Sequence, residues 1–312
     1  MKVVLFCGGL GMRMREGTTS APKPMAMIGD RPLLWHVMRY YAHFGHTDFI
    51  LCLGYGAAAV KDYFLHYDET LSNDFTLAMG GRDIRLFSTD ITDWQITFID
   101  TGLDTSVGER LAQVRRYVQD EPMFLANYAD TLTDAPLPEL VDRFAAAGAT
   151  ASLLAVPVQS THHVVDIGTG DRVARIRPIR ELMQWENGGY FILRPEIFSV
   201  LRAGEDLVPH AFARLLPHGR LLAQRYTGFW RAADTFKDRA ELEELYRSAR
   251  CPWMLWDVGR SGAVRRPDDG RAATVPLAAP SAGSVPLVAP SAATVPVAPS
   301  AAPRPDSPAL SG

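Results

Sequence analysis

The feature that most constrains this chain is a short apolar run that breaks at once into glycines. Lys2 to Phe6 predicts a buried strand. Gly8, Gly9 and Gly11 follow within four positions, in the stretch Leu5-Phe6-Cys7-Gly8-Gly9-Leu10-Gly11-Met12-Arg13. Glycine tolerates positive φ and lets a ligand approach the backbone amides. Arg13 adds a fixed fork of donors suited to phosphate. Lys23 follows between Pro22 and Pro24, which stiffen its segment. A glycine loop, an arginine and a tethered lysine make a cradle for a triphosphate. The alternative is a tight strand-to-helix turn with charges on its surface.

The rest of the chain alternates in a way that fits such a loop. Pro32 to Phe44 reads as a helix, Phe49 to Leu53 as a strand and Ala57 to Tyr67 as a second helix. Trp94 to Asp100 reads as a strand and Gly108 to Val118 as a helix, with a hairpin expected earlier at Gly80-Gly81. Then come a strand at Met123 to Ala126, a helix at Leu137 to Ala147 and a strand at Thr150 to Pro157. Helices are predicted over 195–201, 208–216 and 236–249, and a strand over 221–226. This rhythm predicts an α/β fold with a Rossmann-like, mixed but mostly parallel sheet flanked by helices. Ligands of such sheets sit beyond the carboxyl ends of the strands, where the glycine loop lies. Asp130 stands just past a buried strand, where a carboxylate can hold Mg²⁺ together with substrate phosphates. Taken alone it could equally be a turn former. Asn187-Gly188 is a strong hairpin-turn signal.

The 312 residues allow one large domain or two small ones, and a formal charge of -3 argues against a nucleic-acid binder. No apolar run is long enough to span a bilayer, and the start shows no signal-peptide pattern. Cys7, Cys52 and Cys251 are odd in number and widely spaced, which fits neither a disulfide framework nor a zinc site. Cys7 beside the loop reads as a small buried thiol rather than a nucleophile. His162-His163 has no third ligand nearby and reads as no metal site. A cytoplasmic location is expected. Residues 1–257 form the expected domain. Residues 258–312 carry imperfect repeats of Pro, Ala, Ser and Val about ten residues apart, such as Val275-Pro276-Leu277 and Val285-Pro286-Leu287. A stretch with so few large apolar side chains predicts a disordered tail.

G-G-L-G-x-R at 8–13 followed by P-K-P-M at 22–25 resembles the signature of the sugar-1-phosphate nucleotidyltransferases. The resemblance continues through Pro32-Leu33-Leu34-Trp35-His36, Gly54-Tyr55, Asp100-Thr101-Gly102, Gly228-Phe229-Trp230, Asp234-Thr235 and Pro252-Trp253. It covers roughly residues 1–257, and within the family it is to the glucose-1-phosphate cytidylyltransferases. It implies a nucleotidyltransferase fold of the GT-A-like kind. It also implies transfer of a nucleotidyl group, CMP from CTP, to glucose 1-phosphate or a related sugar 1-phosphate, with pyrophosphate released.

On the matching positions, Arg13 and Lys23 become the catalytic cations, and Asp130 and Asp234 the ligands of Mg²⁺. Gly8, Gly9, Leu10, Gly11, Met12, Thr101, Gly102, Arg110 and Ala129 become the nucleotide site, with Asn187 and Gly188 lining the sugar pocket. A homo-oligomer is implied, with neither nucleic acid nor membrane as partner. Two departures stand out. The family's Gly-Asp-Gly is here Ala129-Asp130-Thr131, and its Glu-Lys-Pro is here Ile176-Arg177-Pro178, where Arg177 replaces the lysine as candidate for the acceptor phosphate. Two rival readings stay open: a different acceptor, or a regulatory paralogue that binds nucleotide without turnover.

Overall fold

The computed structural model describes residues 1–9, 22–159 and 162–257. One compact unit runs from Met1 to Val264. The loop residues Leu10, Gly11, Met12 and Arg13 and the repeats from 258 onward lie outside the described residues.

Seven strands build the central sheet. They are β1 (Val3–Phe6), β2 (Asp48–Leu53), β3 (Gln95–Asp100), β4 (Phe124–Asn127), β5 (Ala151–Pro157), β6 (Trp185–Leu193) and β7 (Leu221–Arg225). Their order across the sheet is β7-β5-β6-β4-β1-β2-β3. β1 pairs in parallel with β2 and β4, β2 with β3, and β5 with β7. β6 alone runs antiparallel, to β5 and β4. The sheet is thus mixed and mostly parallel, as the alternation of strands and helices predicts.

β1 and β2 are apolar on both faces because both faces are covered. Val3, Leu5, Phe49 and Leu51 share one core cluster with Leu34, Val37, Met38 and Tyr41 of α1 (Leu33–His43). The remaining helices of seven residues or more are α2 (Ala57–Leu65), α3 (Val107–Gln113), α4 (Leu137–Ala147) and α5 (Phe236–Arg247). Val4, Phe6, Ile50 and Cys52 share the other core cluster with Leu111 of α3 and with Leu207, Phe212 and Leu215. Among the described residues no helix is long and apolar enough to cross a membrane.

Three expectations change. Asn187-Gly188-Gly189 does not turn a hairpin; it lies inside β6, where the register against β5 shifts between Leu153 and Ala155. Gly189 has φ +77°, and a Cβ there would sit 2.8 Å from the Tyr128 ring. The glycines therefore serve a bulge in a paired strand, whose apolar residues on the C-terminal side hold it in the sheet. The helix expected at 195–201 shortens to Ile197–Val200. That expected at 208–216 is a wide-turned segment, Leu207–Phe212, which leads into Ala213–Leu215. A ribbon of His163–Ile167 against Val173–Pro178 carries Ile176-Arg177-Pro178.

Candidate active site

The order of strands reverses between β1 and β4, and a cavity of about 530 Å³ opens beyond their carboxyl ends. Phe6, Gly9, Lys23, Tyr128, Asp130 and Asp234 line it. A larger cavity of about 910 Å³, walled by Arg31, Trp35, Asp90 and Trp256 among others, shares no lining residue with it. The strand-end cavity is the one that gathers the residues expected to do chemistry.

Lys23 is held by local geometry. Pro22 is extended, Lys23–Met25 forms one tight turn, and the Met25 amide donates to the Pro22 carbonyl at 2.8 Å. Pro22 packs where a Cβ on Gly56 would stand, 2.6 Å away, so that glycine makes room for it. The Lys23 ammonium donates to Asp130 Oδ2 at 2.6 Å and also to Asp234 Oδ1.

A second device brings Asp234 to Asp130. Trp230–Ala232 pairs antiparallel with Thr131–Thr133, and the Ala233 amide donates to the Asp130 carbonyl at 2.9 Å. Thr235 then caps α5 in a reciprocal arrangement with Asp238. Strands of three residues leave almost no periodic trace, which is why this ribbon is missing from the sequence reading.

The electrostatics follow from two carboxylates converging on one ammonium. Burial opposes the charge on Lys23, but Asp130 and then Asp234 outweigh it and raise its pKa. Burial raises the pKa of Asp130; Lys23 pulls it back, and Asp234 pushes it up again. The cluster therefore carries an excess negative charge that a further cation would relieve.

Ala129 has φ +60° and is fully buried, with its amide donating to Asn127 Oδ1 at 2.6 Å. This is the left-handed region that suits glycine, and here an alanine carries the chain into Asp130. Asn187 sits next to the cavity wall, its Nδ2 donating to the Tyr128 hydroxyl at 3.2 Å. The Gly188 carbonyl accepts from Trp230 Nε1 at 2.8 Å. Cys7 lines the cavity, but burial holds its thiol far above the usual range.

The other expected residues divide. Gly8, Thr101, Gly102 and Arg110 cluster at the ends of β1 and β3, and Arg110 is buried rather than solvated. Arg177 is not brought to the cavity. It lies on the His163–Pro178 ribbon and donates to Asp166 Oδ2 at 2.9 Å. Tyr128, Thr105, Ser106 and Asp206 also line the cavity and were not singled out from sequence. Two of them carry a usable signal: Ser106, which opens a Ser-x-x-Glu capping box, and Asp206, a capping side chain just before an apolar segment.

The profile of the family described as nucleotidyl transferase matches residues 2–231. The chain belongs to that family. The nucleotidyltransferase is 33% identical over 262 residues to the glucose-1-phosphate cytidylyltransferase of Salmonella typhimurium, covering 82% of this chain and 100% of the relative. It is likewise 33% identical over 262 residues to that of Salmonella typhi, with the same coverage. The fold is also similar to that of UTP-bound UGPase from Acinetobacter baumannii, with a TM-score of 0.58 at 17% identity. That match covers 78% of this chain and 92% of the other.

Proposed function

We propose that this nucleotidyltransferase transfers a nucleotidyl group from a nucleoside triphosphate, CTP by resemblance, to glucose 1-phosphate or a related sugar 1-phosphate. The observation that carries the reading is the convergence of Asp130 and Asp234 on Lys23 at the switch point of the sheet. The full-length match to glucose-1-phosphate cytidylyltransferases supports the substrate class.

An oxygen of the sugar phosphate attacks the α-phosphorus, the bond from that phosphorus to the bridging oxygen breaks, and pyrophosphate leaves. No covalent enzyme intermediate is needed. The protein aligns the reactants and offsets charge. Lys23 holds phosphate oxygens, and Arg13 is assigned from sequence to the departing pyrophosphate. Asp130 and Asp234 are hard oxygen donors with excess negative charge, which suits Mg²⁺. When bound, the ion supplies charge neutralisation at the phosphates. Tyr128 forms part of the cavity wall, and Asn187 stands behind it, donating to its hydroxyl.

The test is pyrophosphate release with CTP, UTP, GTP and ATP, each against a panel of sugar 1-phosphates. Release that requires both substrates supports transfer. Binding of triphosphate with no release from any pair points to a regulatory paralogue. The altered-acceptor reading is favoured by one observation, the pairing of Arg177 with Asp166 away from the cavity. Poor use of glucose 1-phosphate beside another sugar phosphate would bear it out.

A further inference from the structure

Tyr128 and Asp206 line the strand-end cavity, and the steps derived above give neither a part in the chemistry. The hydrogen bonds at Tyr128 have a direction that the backbone sets. The Gly189 amide donates to Asn187 Oδ1 at 3.0 Å, which turns the other end of that side chain, Nδ2, toward Tyr128. Nδ2 then donates to the Tyr128 hydroxyl at 3.2 Å. An amide NH₂ only donates, so the phenol is the acceptor in this bond and keeps its own proton. No acceptor for that proton is found among the described residues. Asn187 is not among the residues that line the cavity, so the proton is left on the cavity side of the phenol oxygen. Burial pushes this phenol up to about 12, with the charge of Asp206 adding to the push, and the proton is therefore present at neutral pH. The ring is held edge-on to Phe191, with centroids 5.1 Å apart.

Asp206 supplies the opposite polarity. Its Oδ1 accepts from the Leu207 amide at 2.7 Å, and Oδ2 has no partner among the described residues. Asp206 also takes part in none of their ion pairs. The two described cations of the cavity are committed elsewhere. Lys23 serves Asp130 and Asp234, and Arg110 serves Thr101 and the Gly8, Leu53 and Leu103 carbonyls. An unpaired carboxylate beside a neutral phenol repels phosphate. It suits a neutral group that accepts one hydrogen bond and donates another, which a hydroxyl does. An ammonium group could donate to Asp206, but it offers nothing for Tyr128 to donate to.

We propose that Tyr128 and Asp206 together read one sugar hydroxyl of the substrates, which accepts from the phenol and donates to the carboxylate, and that Asn187 is the positioning residue that aims the phenol. The proposal rests on the nucleotidyltransferase reading for the identity of the substrates. The hydroxyl can come from the acceptor sugar or from the ribose of the triphosphate, and the chemistry is the same for both.

The experiment reads kcat/KM from pyrophosphate release for wild type, Tyr128→Phe and Asp206→Asn. The substrates are CTP with glucose 1-phosphate, or the pair that the panel ranks above it. Beside them stand the monodeoxy forms of the sugar phosphate and the 2′-deoxy and 3′-deoxy forms of the triphosphate. Phenylalanine keeps the ring contacts and asparagine keeps the cap on Leu207, so melting without ligand should stay close to wild type. Each variant is expected to lose about tenfold with the parent substrates, the worth of one hydrogen bond. With one deoxy compound the wild type should fall by a similar factor and the variants should lose nothing further. A deoxy sugar phosphate in that role places the hydroxyl on the acceptor, and a deoxy triphosphate places it on the ribose. Variants that equal wild type with the parent substrates, or losses that persist undiminished with every deoxy compound, overturn the proposal.

Asn187→Ala tests the aiming. It should weaken discrimination against that same deoxy compound and have little further effect on the Tyr128→Phe background, whereas additive losses overturn the positioning role. If no pair releases pyrophosphate, the transferase reading falls by itself. The same comparison is then read as Kd by calorimetry with the same compounds, and the same outcomes support or overturn the hydroxyl pair.

Discussion

At the scale of single residues the site is a charge problem with one cation for two carboxylates. Asp130→Asn removes the deeper carboxylate and leaves Lys23 its contact with Asp234. We expect turnover to fall by about a hundredfold or more, since a metal ligand is worth several kcal/mol of charge stabilisation. The far-UV spectrum and the cooperative melt should persist, and near wild-type activity in magnesium would remove Asp130 from the metal site. Next to it, Ala129 holds φ +60° without a glycine's freedom. Ala129→Gly relieves about 1 kcal/mol of left-handed strain and restores about 0.4–1 kcal/mol of unfolded-state entropy. A melting shift within a few degrees is expected, and a large loss would show that the Cβ itself packs. Arg177 is the opposite case, a sequence candidate that the structure ties to Asp166. Arg177→Ala should change the acceptor KM by less than about twofold, because a partly exposed pair lying off the cavity is worth at most about 1 kcal/mol. A tenfold rise would return Arg177 to the acceptor phosphate.

At the scale of elements, α1 is the hub. His36 on its buried face sits between the Ile28 carbonyl, 2.9 Å from Nε2, and the Trp253 indole, which donates to Nδ1 at 3.3 Å. The ring is therefore neutral with its proton on Nε2. Burial lowers its pKa to about 4. An unfolded histidine titrates near 6.5, so the unfolded chain binds more protons between these values. The stabilisation is fully present above about pH 6.5 and is lost as pH falls toward 4, by about 3 kcal/mol at about 1.4 kcal/mol per unit. His46 is also lowered to about 4, by burial and then by the N-terminal ammonium. The difference between variant and wild type, not the wild-type slope, therefore isolates His36. Melting of His36→Gln should be lower at pH 8 and should fall less steeply between pH 6.5 and 4; parallel curves would refute the assignment. Elements with strong patterns were legible in the sequence: α4 spans Leu137–Ala147 as its apolar spacing predicts, and β1 and β2 track their continuous apolar runs. Asn187-Gly188 misled because the same dipeptide that suits a turn also suits a bulge, and only pairing on both flanks decides between them. The ribbon that delivers Asp234 is too short to show a period, and the burial of Arg110 leaves no local signal, because its acceptors Gly8, Leu53, Thr101 and Leu103 lie at three strand ends far apart along the chain.

At the scale of the whole molecule, the question is how much of the chain the reaction needs. The family profile ends at residue 231, while Trp253 is buried in the core and its indole reaches His36 on α1. The fold therefore needs the chain beyond α5. Met254 is also buried and accounts for the last turn, in which the Asp257 amide donates to the Met254 carbonyl at 2.9 Å. The Salmonella typhimurium relative is matched over its whole length by 82% of this chain. The residues after Asp257 are rich in Pro, Ala, Ser and Val, a composition with too little large apolar side chain to bury against anything. Truncation after Asp257 should therefore leave the melting temperature within about 2 °C and the turnover within about twofold, because a shift of a few degrees already corresponds to about 1 kcal/mol in a domain of this size. Truncation after Arg250, which removes Cys251, Trp253 and Met254 from the core, should instead lower the melting temperature by about 10 °C or abolish folding, since losing a buried tryptophan alone costs about 3–5 kcal/mol. Differential scanning calorimetry and pyrophosphate release on the two truncations decide the boundary, and a loss on cutting at Asp257 comparable to that on cutting at Arg250 would place essential structure among the repeats.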